Sequence, residues 1–129
     1  MDKTLLLDDY KKAFENLETA LRSTNESDLE KAGCIKYFEF CFELAWKSIK
    51  IIAEDMGIMD CNSPKASLKT AFTNNWINNE ETWLDMLKSR NLMSHTYNAA
   101  TALKVYKNLK SYLPELKKLL EKLTLIIND

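Results

Sequence analysis

The segment from Asp28 to Met56 decides the fold and reads DLEKAGCIKYFEFCFELAWKSIKIIAEDM. Apolar residues recur in it at alternating spacings of three and four, which is the repeat of a helix face. This set is Ile35, Phe38, Phe42, Ala45, Ile49, Ile52 and Met56, and a second apolar set flanks it: Cys34, Tyr37, Cys41, Leu44 and Ile51. A helix that is apolar on so many sides needs several packing partners, so we expect it to contact both its own chain and a second subunit.

The charged residues of this helix form one narrow strip, made of Lys36, Glu43, Lys47, Lys50 and Glu54. We expect the strip to face solvent, with Glu39 and Glu43 paired to lysines about one turn away. Two glutamates one turn apart also occur in di-iron bundles, but those need a Glu-x-x-His on each of two helices. The chain has a single histidine, so we predict no metal site.

Capping residues predict where the other helices begin and end. Periodicity indicates a first helix over residues 4–22, and Ser27 followed by Glu30 is a capping box that opens the central helix at about residue 28. Gly57 suits the left-handed residue that ends a helix, here at about residue 56. Ser63 with Pro64 begins a short helix that reaches about residue 74.

The last two helices follow the same logic. Asn79 can cap a helix that carries Trp83 toward residue 90, and Asn98 can cap a final helix over residues 99–127. Pro114 predicts a bend in that final helix. We therefore predict an all-α fold, an up-and-down antiparallel four-helix bundle with one additional short helix, as a single domain over residues 1–129.

Composition excludes several classes of protein. The 18 basic and 19 acidic residues leave a net charge of −1, which gives no general attraction to nucleic acid or membrane. We expect Cys34, Cys41 and Cys61 to be buried thiols in a reducing compartment, because Cys34 and Cys41 are too far apart on one helix to bond. No apolar run suits a signal peptide or a membrane span, so the expected location is the cytoplasm, without membrane contact.

The octapeptide RNLMSHTY, residues 90–97, carries the candidate chemistry. It places Arg90, the only histidine (His95) and Tyr97 in an R-x4-H-x-Y arrangement that suits phosphate chemistry, because arginine binds phosphate oxygens and histidine moves protons near neutral pH. Asn91, one turn before His95, can hydrogen-bond the imidazole. The structural alternative is a helix-terminal histidine, a core tyrosine and a surface arginine. No phosphate-binding glycine loop and no serine nucleophile elbow occurs.

Geometry limits how the octapeptide can work. On a straight helix Arg90 and His95 point about 140° apart. They converge only if the helix ends or bends between them, or if a second chain shares the site. Three lysines follow the motif without an intervening acid and are candidate phosphate ligands: Lys104, Lys107 and Lys110.

Three segments resemble the nucleotidyltransferase substrate-binding protein family, a branch of the HEPN superfamily that also contains the HepT toxins. They are FEFCFELAWK (38–47), the Ser63-Pro64 helix start, and WLDMLKSRNLMSHTY (83–97), and the later Tyr112-Leu113-Pro114 also fits. The similarity is collinear over nearly the whole chain. It implies a helical bundle that forms homodimers, with the motif near the dimer cleft.

The resemblance also implies a partner. The family resembles two-component systems. In these systems a separate chain, a minimal nucleotidyltransferase, supplies the catalytic carboxylates and the metal. In the toxin branch, Arg90 and His95 would be the ribonuclease residues, and Tyr97 would be the site where the partner attaches AMP. No cofactor is implied for this chain.

Three functions therefore stay open at the level of sequence. The first is a substrate-binding and regulatory subunit of a two-component nucleotidyltransferase, with Tyr97 as AMP acceptor. The second is a metal-independent endoribonuclease toxin that uses Arg90 and His95 on an RNA ligand. The third is a non-catalytic helical adaptor.

Overall fold

The computed structural model describes residues 2–23, 27–95 and 98–129, and of His95 it describes the backbone alone. Five helices occupy these ranges: α1 (Lys3–Leu21), α2 (Asp28–Asp55), α3 (Pro64–Thr73), α4 (Glu80–His95) and α5 (Ala99–Ile127). No strand occurs in the same ranges. The fold is the predicted all-α bundle of four long helices with one short addition, α3.

The predicted caps begin the helices as expected. The Ser27 hydroxyl accepts from the Glu30 N–H at 3.2 Å and the Ser63 hydroxyl accepts from the Ala66 N–H at 3.1 Å. Asn98 Oδ1 accepts from the N–H groups of Ala100 and Thr101, at 2.9 and 3.1 Å. These bonds satisfy N–H groups that have no partner inside their own helix. The helix starts are therefore encoded locally.

The central helix α2 contacts all four other helices. Its aromatic side chains join separate parts of the core, since the Phe38 ring lies 5.4 Å from the Tyr112 ring of α5 and the Phe42 ring lies 6.3 Å from the Trp83 ring of α4. Phe38, Phe42 and Trp83 are fully buried. This confirms that the apolar faces of α2 serve several packing partners at once.

One flank of α2 stays open in the single chain. Tyr37 and Phe40, which lie on that flank, keep 38% and 51% of their surface exposed. Apolar surface of this kind is typical of an interface, because burying it removes apolar area from water. The expected contact with a second subunit stays a prediction.

The three cysteines are free and buried, as predicted. Burial raises the pKa of the Cys34 and Cys41 thiols, which keeps them protonated. Within the described ranges, no group of three metal-ligating side chains comes together, and no helix is long and apolar enough to cross a bilayer. Pro114 lies inside α5, and the bend expected there stays a prediction.

Candidate functional site

The packing of α4 determines where Arg90 lies. Trp83 and Met86 of α4 are fully buried, and Arg90 follows Trp83 by two helical turns on the same face. The buried Ser89 hydroxyl lies 2.9 Å from the Tyr112 hydroxyl and ties α4 to α5. The Arg90 side chain is therefore directed toward α2, and only 28% of it is exposed.

Glu43 of α2 is the partner of Arg90. Arg90 Nη2 lies 2.5 Å from Glu43 Oε1, while Trp46 Nε1 donates to Glu43 Oε2 at 3.1 Å. Lys47 Nζ is 3.8 Å from that second oxygen. Glu43 Oε1 is closed off from solvent and makes no aligned hydrogen bond within the described part of the chain, so its contact with Arg90 is an ion pair. Glu43 thus connects a tryptophan and two cations.

This position corrects the expectation for the charged strip. Glu43 was expected to be fully solvated, but its side chain is 29% exposed because it faces α4. The expected lysine pairs are present, with Lys36 Nζ 3.4 Å from Glu39 Oε2 and Lys47 beside Glu43. The buried Trp46, one turn after Glu43, is the signal in the sequence that places this glutamate at the edge of the core.

Asn91 holds the other side of the guanidinium. Its Oδ1 accepts from Arg90 Nη1 at 3.0 Å. The predicted contact between Asn91 and the His95 imidazole involves a side chain outside the described residues, so it stays a prediction. Arg90 is therefore fixed by two partners, and its other N–H donors have none among the described residues. The remaining N–H groups of a guanidinium held in this way can donate to phosphate oxygens.

The end of the octapeptide lies beyond α4. The helix runs without interruption from Arg90 and ends at His95. Because α4 does not end between Arg90 and His95, a helix end between them cannot bring the two residues together, and a site shared between two chains stays a prediction. Tyr97 lies outside the described residues, and its role stays a prediction.

The three candidate phosphate ligands on α5 point outward. Lys104, Lys107 and Lys110 are all exposed, and none has an ion pair within the part of the chain that the structure describes. Exposed lysines without a carboxylate partner in that part of the chain can contact phosphates, and their role as phosphate ligands stays a prediction.

A cavity of 630 Å³ lies between α3, α4 and the start of α5. Its described lining residues are Lys65, Leu84, Leu87, Lys88, Asn91, Leu92, Asn98 and Thr101. Two lysines that the sequence had not singled out, Lys65 and Lys88, therefore line the same cavity as Asn91.

Comparison with known proteins identifies the family. The family model described as "Nucleotidyltransferase substrate binding protein like" matches residues 5–125. The chain belongs to this family. Arg90, Asn91 and Glu43 all lie within the matched range.

Individual relatives of this family agree in sequence and in fold. A Haemophilus influenzae protein named "Probable ribonuclease HepT" is 33% identical over 99 residues, covering 71% of this chain and 66% of the relative, just under two thirds of its length. A protein of known crystal structure from Thermus thermophilus superimposes with a TM-score of 0.80 at 26% identity, covering 88% of this chain and 98% of the other.

A second solved structure carries a functional description. The protein HI0074 of Haemophilus influenzae superimposes with a TM-score of 0.78 at 28% identity, over 92% of this chain and 98% of that one. Its structure is described as revealing the fold of a substrate binding domain of a nucleotidyltransferase. The family assignment and the fold therefore agree.

Proposed function

We propose that this chain is the substrate-binding and regulatory subunit of a two-component nucleotidyltransferase, with Tyr97 as the acceptor of an AMP group. The family match over residues 5–125 carries the proposal. The sequence has no Gly-Ser loop followed by paired aspartates, so a separate nucleotidyltransferase chain supplies the catalytic carboxylates and the metal. The subunit acts as a homodimer in the cytoplasm, using the open flank of α2 around Phe40.

The proposed modification is the transfer of an adenylyl group from ATP to Tyr97 in one substitution step. The Tyr97 phenol oxygen attacks the α-phosphorus of ATP held by the partner, a phosphorus–oxygen bond forms, and pyrophosphate leaves with the electrons of the broken bond. The phenol proton passes to a base. Because a phenol has an ordinary pKa of about 10, the partner's site must favour its deprotonation.

Intact-mass analysis tests the acceptor role. The chain is co-expressed with the nucleotidyltransferase and weighed as wild type, as Tyr97→Phe and as Tyr106→Phe, a control that removes the hydroxyl of a tyrosine on α5. We expect AMP-sized increments on the wild type and the control and none on Tyr97→Phe. An unmodified wild type, or increments that persist in Tyr97→Phe, would exclude Tyr97 as the acceptor.

A ribonuclease activity is the second candidate, favoured by the relative named "Probable ribonuclease HepT" and by the held guanidinium of Arg90. In this reaction His95 removes the proton of a ribose 2′-hydroxyl, whose oxygen attacks the adjacent phosphorus. The 5′-oxygen leaves, takes up a proton, and a 2′,3′-cyclic phosphate remains. Arg90 stabilises the charge that develops on the phosphate oxygens.

The two candidates are compatible in one protein. An AMP group on Tyr97 adds a bulky anion two residues from His95, which would repel RNA from the same segment. Lys104, Lys107 and Lys110 would contribute phosphate contacts to an RNA ligand. If neither modification nor cleavage occurs, the non-catalytic adaptor is the remaining function.

A further inference from the structure

We infer that Lys47 and Arg90 together bind one phosphate group of an RNA strand, and that the Glu43 carboxylate occupies this phosphate site while no RNA is bound. The assignment of RNA as the ligand rests on the ribonuclease candidate among the proposed functions. The sequence indicated Lys47 only as a partner of a glutamate on its own helix. The packing of α4 against α2 places Arg90 at the same glutamate.

Three donors from two helices meet at the Glu43 carboxylate. Arg90 Nη2 of α4 lies 2.5 Å from Glu43 Oε1. On α2, Trp46 Nε1 donates to Glu43 Oε2 at 3.1 Å, and Lys47 Nζ lies 3.8 Å from the same oxygen. A phosphate group also presents several acceptor oxygens on one small anion. The three donors that surround this carboxylate can therefore bind a phosphate in its place.

Glu43 suits this site by its charge but not by its hydrogen bonds. Its Oε1 atom is closed off from solvent and makes no aligned hydrogen bond within the described part of the chain. An oxygen in that position costs free energy, because it has lost its water without gaining a donor. The Glu43 side chain is 29% exposed, so it borders solvent. The cost is removed when the carboxylate turns into solvent and a phosphate takes its place.

Lys47 can donate to a phosphate without losing a hydrogen bond to Glu43. Its side chain is 50% exposed, and a separation of 3.8 Å from Glu43 Oε2 is too long for a hydrogen bond. The Lys47 ammonium lies 6.0 Å from the centroid of the Trp46 ring, and this cation–π contact keeps the long side chain near the site. Once the carboxylate has turned away, two positive charges face one phosphate.

Lys36 provides a matched comparison on the same helix. Its Nζ lies 3.4 Å from Glu39 Oε2 and 5.5 Å from the centroid of the Phe40 ring, so it too contacts a glutamate and an aromatic ring. Among the described residues, no arginine shares Glu39 with it. The two lysines therefore differ in whether a second cation contacts the same carboxylate.

Binding of an RNA that cannot be cleaved tests the site without a partner chain. The probe is a fluorescein-labelled RNA oligomer with methylated 2′-hydroxyls, and fluorescence anisotropy follows its binding to wild type, Lys47→Gln and Lys36→Gln at several salt concentrations. We expect about tenfold weaker binding by Lys47→Gln and wild-type affinity in Lys36→Gln. For Lys47→Gln the slope of log K against log salt should become less steep by about 0.7, the effect of losing one phosphate contact on a single strand.

Glu43→Gln tests whether the carboxylate occupies the phosphate site. Removal of the competing negative charge should tighten RNA binding several-fold, whereas Glu39→Gln, which loses the same charge, should bind like wild type. Absence of RNA binding by wild type, or weaker binding by Glu43→Gln, would overturn the assignment. Wild-type affinity in Lys47→Gln, or equal weakening by Lys47→Gln and Lys36→Gln, would overturn it as well.

Further arms separate the site from the function on which it rests. If the probe binds with the expected dependence on Lys47 but the same RNA with free 2′-hydroxyls is not cleaved, the phosphate site stands and the ribonuclease candidate fails. If that RNA is cleaved and Lys47→Gln changes neither the affinity nor the salt slope, the phosphate site fails and the ribonuclease candidate stands. If titration with AMP depends on Lys47 and RNA binding does not, the phosphate belongs to a free nucleotide and the assignment to RNA is wrong.

Discussion

Arg90 is the residue whose environment best explains the candidate site. An isolated surface arginine samples many rotamers and loses that freedom when it binds a phosphate. Here Glu43 and Asn91 hold the guanidinium before any ligand arrives. Glu43 also competes with an incoming phosphate for the guanidinium. It therefore positions Arg90 and, at the same time, partly neutralises the positive charge of that side chain.

A double-mutant cycle tests the pair of Arg90 and Glu43. Glu43→Gln keeps an oxygen for the Trp46 N–H and removes the charge, so we expect the free energy of unfolding to fall by about 0.5–1 kcal/mol. In the Arg90→Gln background the same change should cost much less. Urea unfolding at low salt measures both values.

Glu39→Gln is the matched control, because Glu39 pairs only with the exposed Lys36 among the residues described. Its cost should be smaller than that of Glu43→Gln and independent of Arg90. Equal effects of the two glutamate changes, with no coupling between Glu43 and Arg90, would contradict the ion pair.

The role of a residue could be predicted from the sequence where its hydrogen-bond partner lies only a few residues away. Ser27, Ser63 and Asn98 cap N–H groups two or three residues away, so their spacing alone identifies them. The pair of Glu43 and Arg90 joins α2 to α4. It depends on how these helices pack, and nearby lysines offered Glu43 equally plausible partners.

At the scale of the element, the two glycines of the α2 region should respond oppositely to the same substitution. Gly33 lies within α2 and Gly57 follows it with φ +81°, and a Cβ added to either meets no atom within 4 Å. Gly33→Ala should therefore raise the free energy of unfolding by about 0.5–1 kcal/mol through helix propensity, whereas Gly57→Ala should lower it by about 1 kcal/mol through backbone strain.

Chemical denaturation measures both changes, and each variant serves as the control for the other. Stabilisation by Gly57→Ala would show that the left-handed helix end is absent in solution. Destabilisation by Gly33→Ala would show that this face of α2 is closely packed by another chain, because the single chain leaves space for the methyl group.

At the scale of the whole molecule, buried acids predict how stability depends on pH. Burial raises the pKa of Tyr10 and Tyr112 above the ordinary 10.0, and that of Cys34 and Cys41 above 9.0. The unfolded chain therefore loses these protons at lower pH than the folded chain does. Their contribution is complete below about pH 8 and is lost as the pH rises, by up to about 1.4 kcal/mol per pH unit for each group.

Unfolding in urea at a series of pH values checks this dependence. Tyr10→Phe removes a phenol that donates to the Leu116 carbonyl at 2.5 Å. We expect it to cost about 1 kcal/mol or more near neutral pH and to make the alkaline loss less steep. A free energy of unfolding that stays constant above about pH 9 would contradict the burial of these groups.

The bundle itself was predictable because its signals are periodic and local. Apolar spacing gave the helices, and the many-sided apolarity of α2 predicted its central place. The cavity was not predictable, because Lys65 and Lys88 come together only through the packing of α3 against α4. The sequence therefore indicated the octapeptide, and the structure added the glutamate that contacts Arg90 and the two lysines that share a cavity with Asn91.

For residues 90–97 we propose that AMP on Tyr97 controls the second candidate function, RNA cleavage by Arg90 and His95. The most direct measurement compares RNA cleavage in excess EDTA by unmodified wild type, by His95→Ala and by wild type whose mass shows AMP on Tyr97. We predict cleavage by the unmodified protein alone, and Tyr97→Phe should stay active after exposure to the partner and ATP. Equal cleavage by the modified and unmodified proteins, or cleavage that survives His95→Ala, would contradict the account.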